Sequence, residues 1–174
     1  DLLLKGLEIA KEKIMKKRTK ALLAWAAVLT MGVSVLASCG NKTASGDSAP
    51  AGENKAEGKT ALSLAIWDEK QRPMMESLVE AYEKEHPDVT VEVQLTPYKG
   101  GEYWTKLEAA ATGGKAPDVF WLNVLHTDSY VDGGILADLT DAIAKSDIKD
   151  NFPESLVNNY VRDGKNYAVP KDFD

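Results

Sequence analysis

Strand-like and helix-like segments alternate along this chain from residue 60 onward, and that order restricts the fold more than any other feature. The segments 61–67, 89–95 and 119–122 have the apolar pattern of β-strands, and the segments 70–85 and 103–111 between them have that of helices. The order strand, helix, strand, helix, strand predicts an open α/β sheet built of crossover units. Ligands of such sheets lie beyond the carboxyl ends of the strands.

The first of these helices is predicted to be amphipathic. Met74, Leu78, Ala81 and Tyr82 recur at helical spacing and are expected to form its buried face, and Pro87 sets its end.

After the third strand the sequence predicts shorter elements. Residues 127–132 are expected to be helical with a stop at the following glycine pair, and Asp138 begins a second short helix that ends near Lys145. Residues 160–167 are expected to form a β-hairpin about Asp163 and Gly164.

Composition excludes several classes of protein. The chain has 174 residues, 44% of them apolar, so it is neither collagen-like nor wholly disordered. Its net charge of -6 makes it a poor candidate for nucleic-acid binding. It contains one cysteine, which excludes an intramolecular disulfide, and its Cys and His residues lack the spacing of a zinc site. We expect no metal and no cofactor.

A cationic stretch at 15–20 precedes an uncharged apolar run at 21–37, which is the order of a secretory signal peptide. The alternative is a transmembrane helix, but about 17 residues is the lower limit for crossing a hydrocarbon layer. The run ends in Leu36-Ala37-Ser38-Cys39-Gly40, which resembles the lipobox of bacterial lipoproteins. We therefore predict a signal peptide at 15–38 and a lipid-modified Cys39 that anchors the protein to a membrane.

The residues on either side of the leader have different predicted roles. Residues 39–59 hold almost no large apolar side chain, so they are expected to be the lipidated cysteine followed by a flexible linker with a reach of roughly 25 Å. Residues 1–14 are interpreted as an over-extended start, with a weak amphipathic helix as the alternative, and no function is assigned to them.

Several segments together resemble the extracellular solute-binding proteins of ABC-type sugar importers, the group that includes maltose-binding protein. The segments, in chain order, are Ile66-Trp67-Asp68, residues 79–93, residues 103–114, Ala116-Pro-Asp-Val-Phe-Trp121, residues 133–139 and residues 163–170. Each segment alone is weak evidence for this family, but six segments in the right order behind a lipobox are specific evidence for it. The resemblance extends from Met15 to the last residue.

The resemblance implies the fold and the function. Residues 60–174 are expected to be the first α/β lobe, incomplete, of a type II periplasmic-binding-protein-like domain, and the chain is interpreted as an amino-terminal fragment. The implied function is that of a monomeric, lipid-anchored receptor on the outer side of the cell membrane. Such a receptor captures a carbohydrate and delivers it to ABC-transporter permease subunits, without a catalytic step.

The candidate ligand-binding residues follow the predicted strands. Trp67 and Trp121 could stack on sugar rings or brace the core, and Asn123 is placed to bind sugar hydroxyls. Asp68 and Glu69 could accept hydroxyl groups or favour the next helix N-terminus. The resemblance adds Asp174, which is similar in position to an acidic sugar contact of the maltose-binding group.

Other residues and functions are less favoured. Asp118 is expected to fix the turn into the third strand, Tyr98 to lie in an exposed turn, and His86 and His126 to be surface or cap residues. The segment 122–126 lacks an acidic residue that the maltose-binding group has there, which argues against maltose. The alternatives are a non-sugar cargo, such as a polyamine, metal chelate, peptide or phosphonate, and a surface glycoside hydrolase with carboxylates among Asp68, Glu69 and Asp118.

We predict that cells expressing this chain incorporate labelled palmitate into it, because Cys39 is the acceptor thiol. The substitution Cys39→Ser is expected to abolish the label while the protein is still made. Autoradiography of the immunoprecipitated chain, with an immunoblot for its amount, measures the outcome. Label that persists in Cys39→Ser, or is absent from the unsubstituted chain, would contradict the lipoprotein prediction.

Overall fold

A parallel sheet of three strands is the centre of the fold. The computed structural model describes residues 4, 6–12, 15 and 59–172. Strands β1 (Thr60–Ile66), β2 (Val89–Leu95) and β3 (Val119–Phe120) form a sheet in the order β2-β1-β3, with both pairs parallel. The predicted α/β alternation is therefore confirmed. No helix within the described ranges is both long and apolar enough to cross a membrane.

The register of the sheet brings the carboxyl ends of its strands to one edge. β1 and β2 pair over their whole length, from Thr60 opposite Val89 to Ile66 opposite Leu95. β3 pairs with the later part of β1, where Val119 lies opposite Leu64. The third strand is shorter than the predicted 119–122, because the chain turns away after the Trp121 amide has donated to the Ala65 carbonyl oxygen at 3.1 Å.

Helices and one hairpin follow the strands. The hairpin consists of β4 (Val161–Arg162) and β5 (Lys165–Asn166), and two 3₁₀ turns cover Lys99–Gly101 and Val124–His126. The α-helices are α1 (Arg72–Glu85), α2 (Glu102–Thr112), α3 (Thr127–Asp132), α4 (Thr140–Ala144), α5 (Ile148–Asn151) and α6 (Glu154–Asn158). The sequence predicted the first four of these helices and did not predict α5 or α6.

The predicted buried face of α1 is wrong by one residue. Met75, Val79 and Tyr82 are the buried residues of this helix, whereas Met74 is about half exposed, at 52%. Apolar side chains occur in adjacent pairs along this helix, such as Met74 with Met75 and Leu78 with Val79. The first and the second members of these pairs therefore form two neighbouring stripes, and both stripes have helical spacing. Packing against β2 selects the second stripe. Of the predicted face, Tyr82 is buried and Leu78 is partly buried against the core, whereas Met74 and Ala81 are exposed.

The hairpin about Asp163 and Gly164 is confirmed. Both residues have positive φ, 51° and 72° respectively, as a two-residue type I′ turn requires. Glycine adopts this region freely and aspartate tolerates it better than most residues. The Leu139 amide donates to the Asn166 carbonyl oxygen at 2.7 Å, which joins the hairpin to the start of α4.

The core lies between the sheet and the helices that pack on it. Its buried members include Leu64 and Ile66 of β1, Tyr82 of α1 and Tyr103 of α2. Leu7, from the described part of the amino-terminal region, belongs to the same cluster and is fully buried. Residues 4, 6–12 and 15 are helical. The other residues of the predicted leader and linker, with Cys39, lie outside the described residues, as does Asp174.

Asp118 fixes the entry into β3, as the sequence predicted. Its carboxylate oxygen Oδ2 accepts hydrogen bonds from the backbone amide and the hydroxyl of Ser63, both at 2.9 Å. The Asp118 amide in turn donates to the Ser63 hydroxyl oxygen at 3.1 Å. These three hydrogen bonds join the beginning of β3 to β1, so the Asp118 carboxylate has a structural role.

We predict that Asp118→Ala lowers the free energy of unfolding by about 1–2 kcal/mol, because two donors of Ser63 lose a charged acceptor. Urea denaturation of the full chain, followed by circular dichroism, measures the change. The control is Asp132→Ala, at an exposed position at the end of α3, which is expected to have a much smaller effect. Equal effects of the two substitutions would contradict the assigned role of Asp118.

Candidate functional site

A cleft of about 590 Å³ runs along β3 and reaches the residues beyond the carboxyl ends of β1 and β3. Its size is within the usual range for small-molecule sites. The lining is mostly apolar and aromatic, with a few polar side chains. Its members include Trp67, Met75, Asp118, Phe120, Trp121, Asn123, Tyr160, Tyr167, Lys171 and Asp172. The cleft therefore lies at the edge of the sheet where the sequence predicted a ligand.

Trp67 lies at the centre of a group of aromatic rings. It follows the last residue of β1, and its ring centroid lies 5.1 Å from that of Trp121 and 5.2 Å from that of Tyr103, both with edge-to-face geometry. Tyr98 and Trp104 lie at 5.7 and 5.8 Å. Trp67 is half-buried, so it both braces the core and presents part of its ring to the cleft. Its bracing role is thus observed, whereas stacking of Trp67 on a sugar ring stays a prediction.

The hydroxyl of Tyr103 forms hydrogen bonds with the backbone beneath this aromatic group. It donates to the Trp121 carbonyl oxygen at 2.9 Å and also lies 3.3 Å from the Ala65 carbonyl oxygen. Tyr103 is buried, and this burial raises the pKa of its phenol above the ordinary value. One neutral hydroxyl therefore joins the ends of β1 and β3 beneath the two cleft tryptophans.

Trp121 contributes a buried ring with an available donor. Its side chain is 7% exposed, and its indole nitrogen Nε1 has no hydrogen-bond partner among the described residues. The ammonium of Lys171 lies over the ring, 4.4 Å from its centroid, and donates to Gln71 Oε1 at 3.0 Å. The ammonium group therefore occupies this face of the ring, and a ligand that stacks there would have to displace it.

The polar candidates are placed differently from one another. Asn123 lines the cleft, but its side-chain oxygen accepts from the Leu125 amide at 2.9 Å, which leaves its amide nitrogen for a ligand. Asp68 and Glu69 are not among the cleft-lining residues. The Asp68 carboxylate accepts from the Lys70 amide at 2.8 Å and so stabilises the turn before α1.

Among the cleft residues that sequence reasoning missed are three at or near the hairpin. Tyr160 and Tyr167 flank the hairpin, and Lys171 follows it. The sequence predicted the hairpin but not that it lies beside the cleft. The sequence did indicate that the two tyrosines lie next to each other, because they stand on either side of a predicted hairpin. Their distance in sequence from the sheet gave no indication that they approach its edge.

His126 was predicted to be a surface or cap residue; it occupies the N-cap position of α3, and its ring also packs on an aromatic side chain. It is stacked on Trp104 with centroids 3.8 Å apart and an interplanar angle of 16°. Trp104 in turn contacts Trp67, so this stack supports the aromatic group from behind. No set of three or more His, Cys, Asp or Glu side chains in the described part of the chain is arranged to hold a metal ion.

This chain matches a family of known proteins. Residues 67–173 match the family described as bacterial extracellular solute-binding protein. Among individual relatives, the diacetylchitobiose binding protein DasA of Streptomyces coelicolor is 32% identical over 156 residues, which cover 87% of this chain and 34% of that protein. The chain spans about a third of the length of the curated relatives it matches.

Two solved structures are similar to this fold. An ABC substrate-binding protein of Listeria monocytogenes, in complex with cycloalternan, is 32% identical with a TM-score of 0.55, over 63% of this chain and 28% of that one. The GacH receptor of Streptomyces glaucescens, studied unliganded and with acarbose, is 30% identical with a TM-score of 0.58, over 66% of this chain and 29% of that one.

We predict that Tyr103→Phe lowers the free energy of unfolding by about 1–2 kcal/mol at pH 7, because the carbonyl oxygens of Ala65 and Trp121 lose a buried donor. Tryptophan emission is expected to change as well, since Trp67 and Trp121 lie against this residue. Urea denaturation followed by fluorescence measures both effects. The matched control is Tyr98→Phe, at an exposed tyrosine of the same aromatic group.

The same substitution tests the pH dependence. An unfolded tyrosine ionises near pH 10, while the raised pKa keeps native Tyr103 neutral above that pH. Its contribution to stability is therefore fully present below about pH 10 and is lost as the pH rises through the native value. Tyr103→Phe is expected to lose less stability than the unsubstituted chain between pH 9 and about pH 11. An equally steep loss in both would contradict the assignment.

Proposed function

The chain belongs to the bacterial extracellular solute-binding protein family, and from this premise we propose that it captures an extracellular carbohydrate for delivery to an ABC-transporter permease. The predicted fold, a periplasmic-binding-protein-like α/β lobe, is confirmed by the family match and by the similar structures. Since the chain spans about a third of its relatives, its ligand, its permease and the transport step are all part of the proposal.

The observation that carries the proposal is the pair of tryptophans in the cleft. Trp67 and Trp121 follow neighbouring parallel strands, and both line the same opening. Sugar rings present C–H faces that pack against flat aromatic side chains, while their hydroxyls need planar polar partners. The indole Nε1 of Trp121 and the amide of Asn123 supply such partners beside the rings.

Relatives support a carbohydrate as the ligand. Three similar proteins are described with diacetylchitobiose, cycloalternan or acarbose, all of which are carbohydrates or carbohydrate analogues. They differ from one another in sugar, so we propose the class of ligand and not an individual saccharide. Within this proposal the ligand leaves unchanged, because the relatives are described as binding proteins.

Asp118 and Lys171 make the two alternative functions less favourable. A cationic cargo would compete with the ammonium of Lys171, which already lies over the Trp121 ring. A glycoside hydrolase needs two available carboxyl groups across one bond. Asp118 lines the cleft, but its carboxylate accepts hydrogen bonds from Ser63. The Asp68 carboxylate accepts a hydrogen bond from the Lys70 amide. We therefore propose a receptor without a catalytic step.

The proposed anchor completes the account. Lipidation of Cys39 and a linker at 39–59 would hold the lobe near the outer face of the membrane, within reach of a permease. Acylation at two or more positions would be needed for stable attachment. Asp174, Asp68 and Glu69 remain proposed ligand contacts; the first lies outside the described residues, and the other two lie outside the cleft lining.

We predict that Trp121→Ala weakens binding of a saccharide to this chain by at least about tenfold, which corresponds to 1.4 kcal/mol of lost stacking and hydrogen bonding. Isothermal titration with diacetylchitobiose measures the affinity, after a thermal-shift panel of mono- and oligosaccharides, polyamines and peptides has identified the best ligand class. Trp121→Phe keeps a flat ring without the indole donor, so its affinity is expected to lie between those of the alanine variant and the unsubstituted chain.

Leu125→Ala is the control, because Leu125 is 86% exposed and does not line the cleft. It is expected to bind with unchanged affinity. A stabilising shift with a polyamine or a peptide and none with any saccharide would overturn the proposed ligand class. Unchanged saccharide affinity in Trp121→Ala would instead remove this residue from the site.

A further inference from the structure

Trp121 is almost completely covered in this fold, although the proposed function needs a face of its ring. The residue is 7% exposed; Trp67 meets the ring edge-to-face, and the Lys171 ammonium lies over it, 4.4 Å from the centroid. Trp67 belongs to the packed aromatic group, whereas Lys171 has a long side chain that is 32% exposed. Lys171 is therefore the neighbour that can move into solvent and uncover the ring.

Three partners hold the Lys171 ammonium in place. It donates to Gln71 Oε1 at 3.0 Å, it forms an ion pair with the Asp172 carboxylate, and it lies against the face of the Trp121 ring. An ammonium group has three N–H donors, so each donor has a partner in this arrangement. The position of Lys171 over Trp121 is thus defined by several contacts at once.

Gln71 connects Lys171 to the opposite side of the sheet edge. It occupies the N-cap position of α1, but its side chain makes no capping hydrogen bond and accepts from Lys171 instead. The two residues are 100 positions apart in the sequence, and one precedes α1 whereas the other follows the hairpin. Their hydrogen bond therefore joins the turn after β1 to the segment after the hairpin.

Lys171 is also the only cation among the described residues that line the cleft. The charged members of this lining are Lys171, Asp118 and Asp172. The Asp118 carboxylate accepts hydrogen bonds from Ser63, and the Asp172 carboxylate is paired with Lys171 itself. Loss of the ammonium would therefore leave a lining with two carboxylates and no positive charge.

We propose that Lys171 is a specificity-determining residue, whose ammonium occupies the stacking face of Trp121 until a saccharide displaces it. A neutral saccharide has to exchange the cation–π contact for its own stacking, so its affinity is lower than the aromatic cleft alone would give. A saccharide with protonated amines binds more weakly still, because its charge meets the displaced ammonium. The inference rests on the proposed function for the class of ligand, but the position of the ammonium can be tested without one.

Proton NMR of the full chain with ¹³C-labelled lysine side chains tests the position of the ammonium. The ring current of an indole shifts protons above its face upfield, so the ε-methylene signal of Lys171 is expected upfield of that of Lys115. Lys115 is an exposed lysine that does not line the cleft. Trp121→Ala is expected to abolish the difference. Coinciding signals of the two lysines in the unsubstituted chain would overturn the proposal.

The same signal reports displacement. Addition of diacetylchitobiose is expected to move the Lys171 resonance towards that of Lys115, with the same saturation as binding measured by isothermal titration. Binding that leaves the upfield signal of Lys171 in place would overturn the displacement.

Titration with two matched disaccharides tests the specificity. Lys171→Ala is expected to bind diacetylchitobiose up to about tenfold more tightly than the unsubstituted chain, since the cation–π contact no longer competes. It is expected to gain more affinity for the deacetylated disaccharide, at a pH that keeps its amines protonated, because two carboxylates remain in the lining. The matched control, Lys115→Ala, removes the same charge and is expected to bind both as the unsubstituted chain does.

Equal or weaker binding of diacetylchitobiose by Lys171→Ala would overturn the proposal, because the lysine would then not compete with the ligand. Equal gains for the two disaccharides would overturn the charge discrimination. If no variant binds either one, the carbohydrate function fails for these probes, and the lysine NMR signal alone decides whether the ammonium occupies the ring.

A second variant replaces Lys171→Ala if circular dichroism shows that it is unfolded. Gln71→Ala removes one partner of the ammonium and retains the charge. It is expected to tighten binding of diacetylchitobiose by about twofold, since one hydrogen bond no longer holds Lys171 over the ring. Unchanged or weaker binding in this variant would likewise overturn the proposal.

Discussion

The hydroxyl of Tyr103 joins the ends of two parallel strands at the place where their pairing stops, and the cleft depends on that junction. It donates to the carbonyl oxygen of Trp121 and lies within hydrogen-bonding distance of that of Ala65, while the Trp121 amide donates to Ala65. The strands beside it run in one direction, so both tryptophans emerge at the same edge. A buried hydroxyl with two acceptors is costly to displace, and this cost keeps the aromatic rings in fixed positions.

The elements of the sheet could be predicted from the sequence because their patterns are local. Two-residue periodicity located β1 and β2, and Pro87 and the Asp163-Gly164 turn marked ends that the structure retains. The buried face of α1 was predicted incorrectly, since adjacent apolar pairs give two stripes of equal quality and only contact with β2 distinguishes them. Helices α5 and α6 have four and five residues, too few for a periodic signal.

The candidate site was predictable only in part, for a related reason. Trp67, Trp121 and Asn123 follow strands, so their shared edge could be inferred from topology. Tyr160, Tyr167 and Lys171 reach the same cleft through long-range packing of the hairpin, which no local pattern encodes. His126 stacks on Trp104 because the short 3₁₀ turn before α3 directs it there, and that turn was not predicted.

The central claim is that a saccharide binds in the cleft against Trp67 and Trp121, and fluorine NMR of the chain labelled with 5-fluorotryptophan tests it most directly. Its four tryptophans give separate resonances that single substitutions assign. On titration with the best saccharide, the account predicts that the signals of Trp67 and Trp121 move most and saturate together. Saturable shifts confined to other tryptophans, or no shift with any saccharide, would contradict the account.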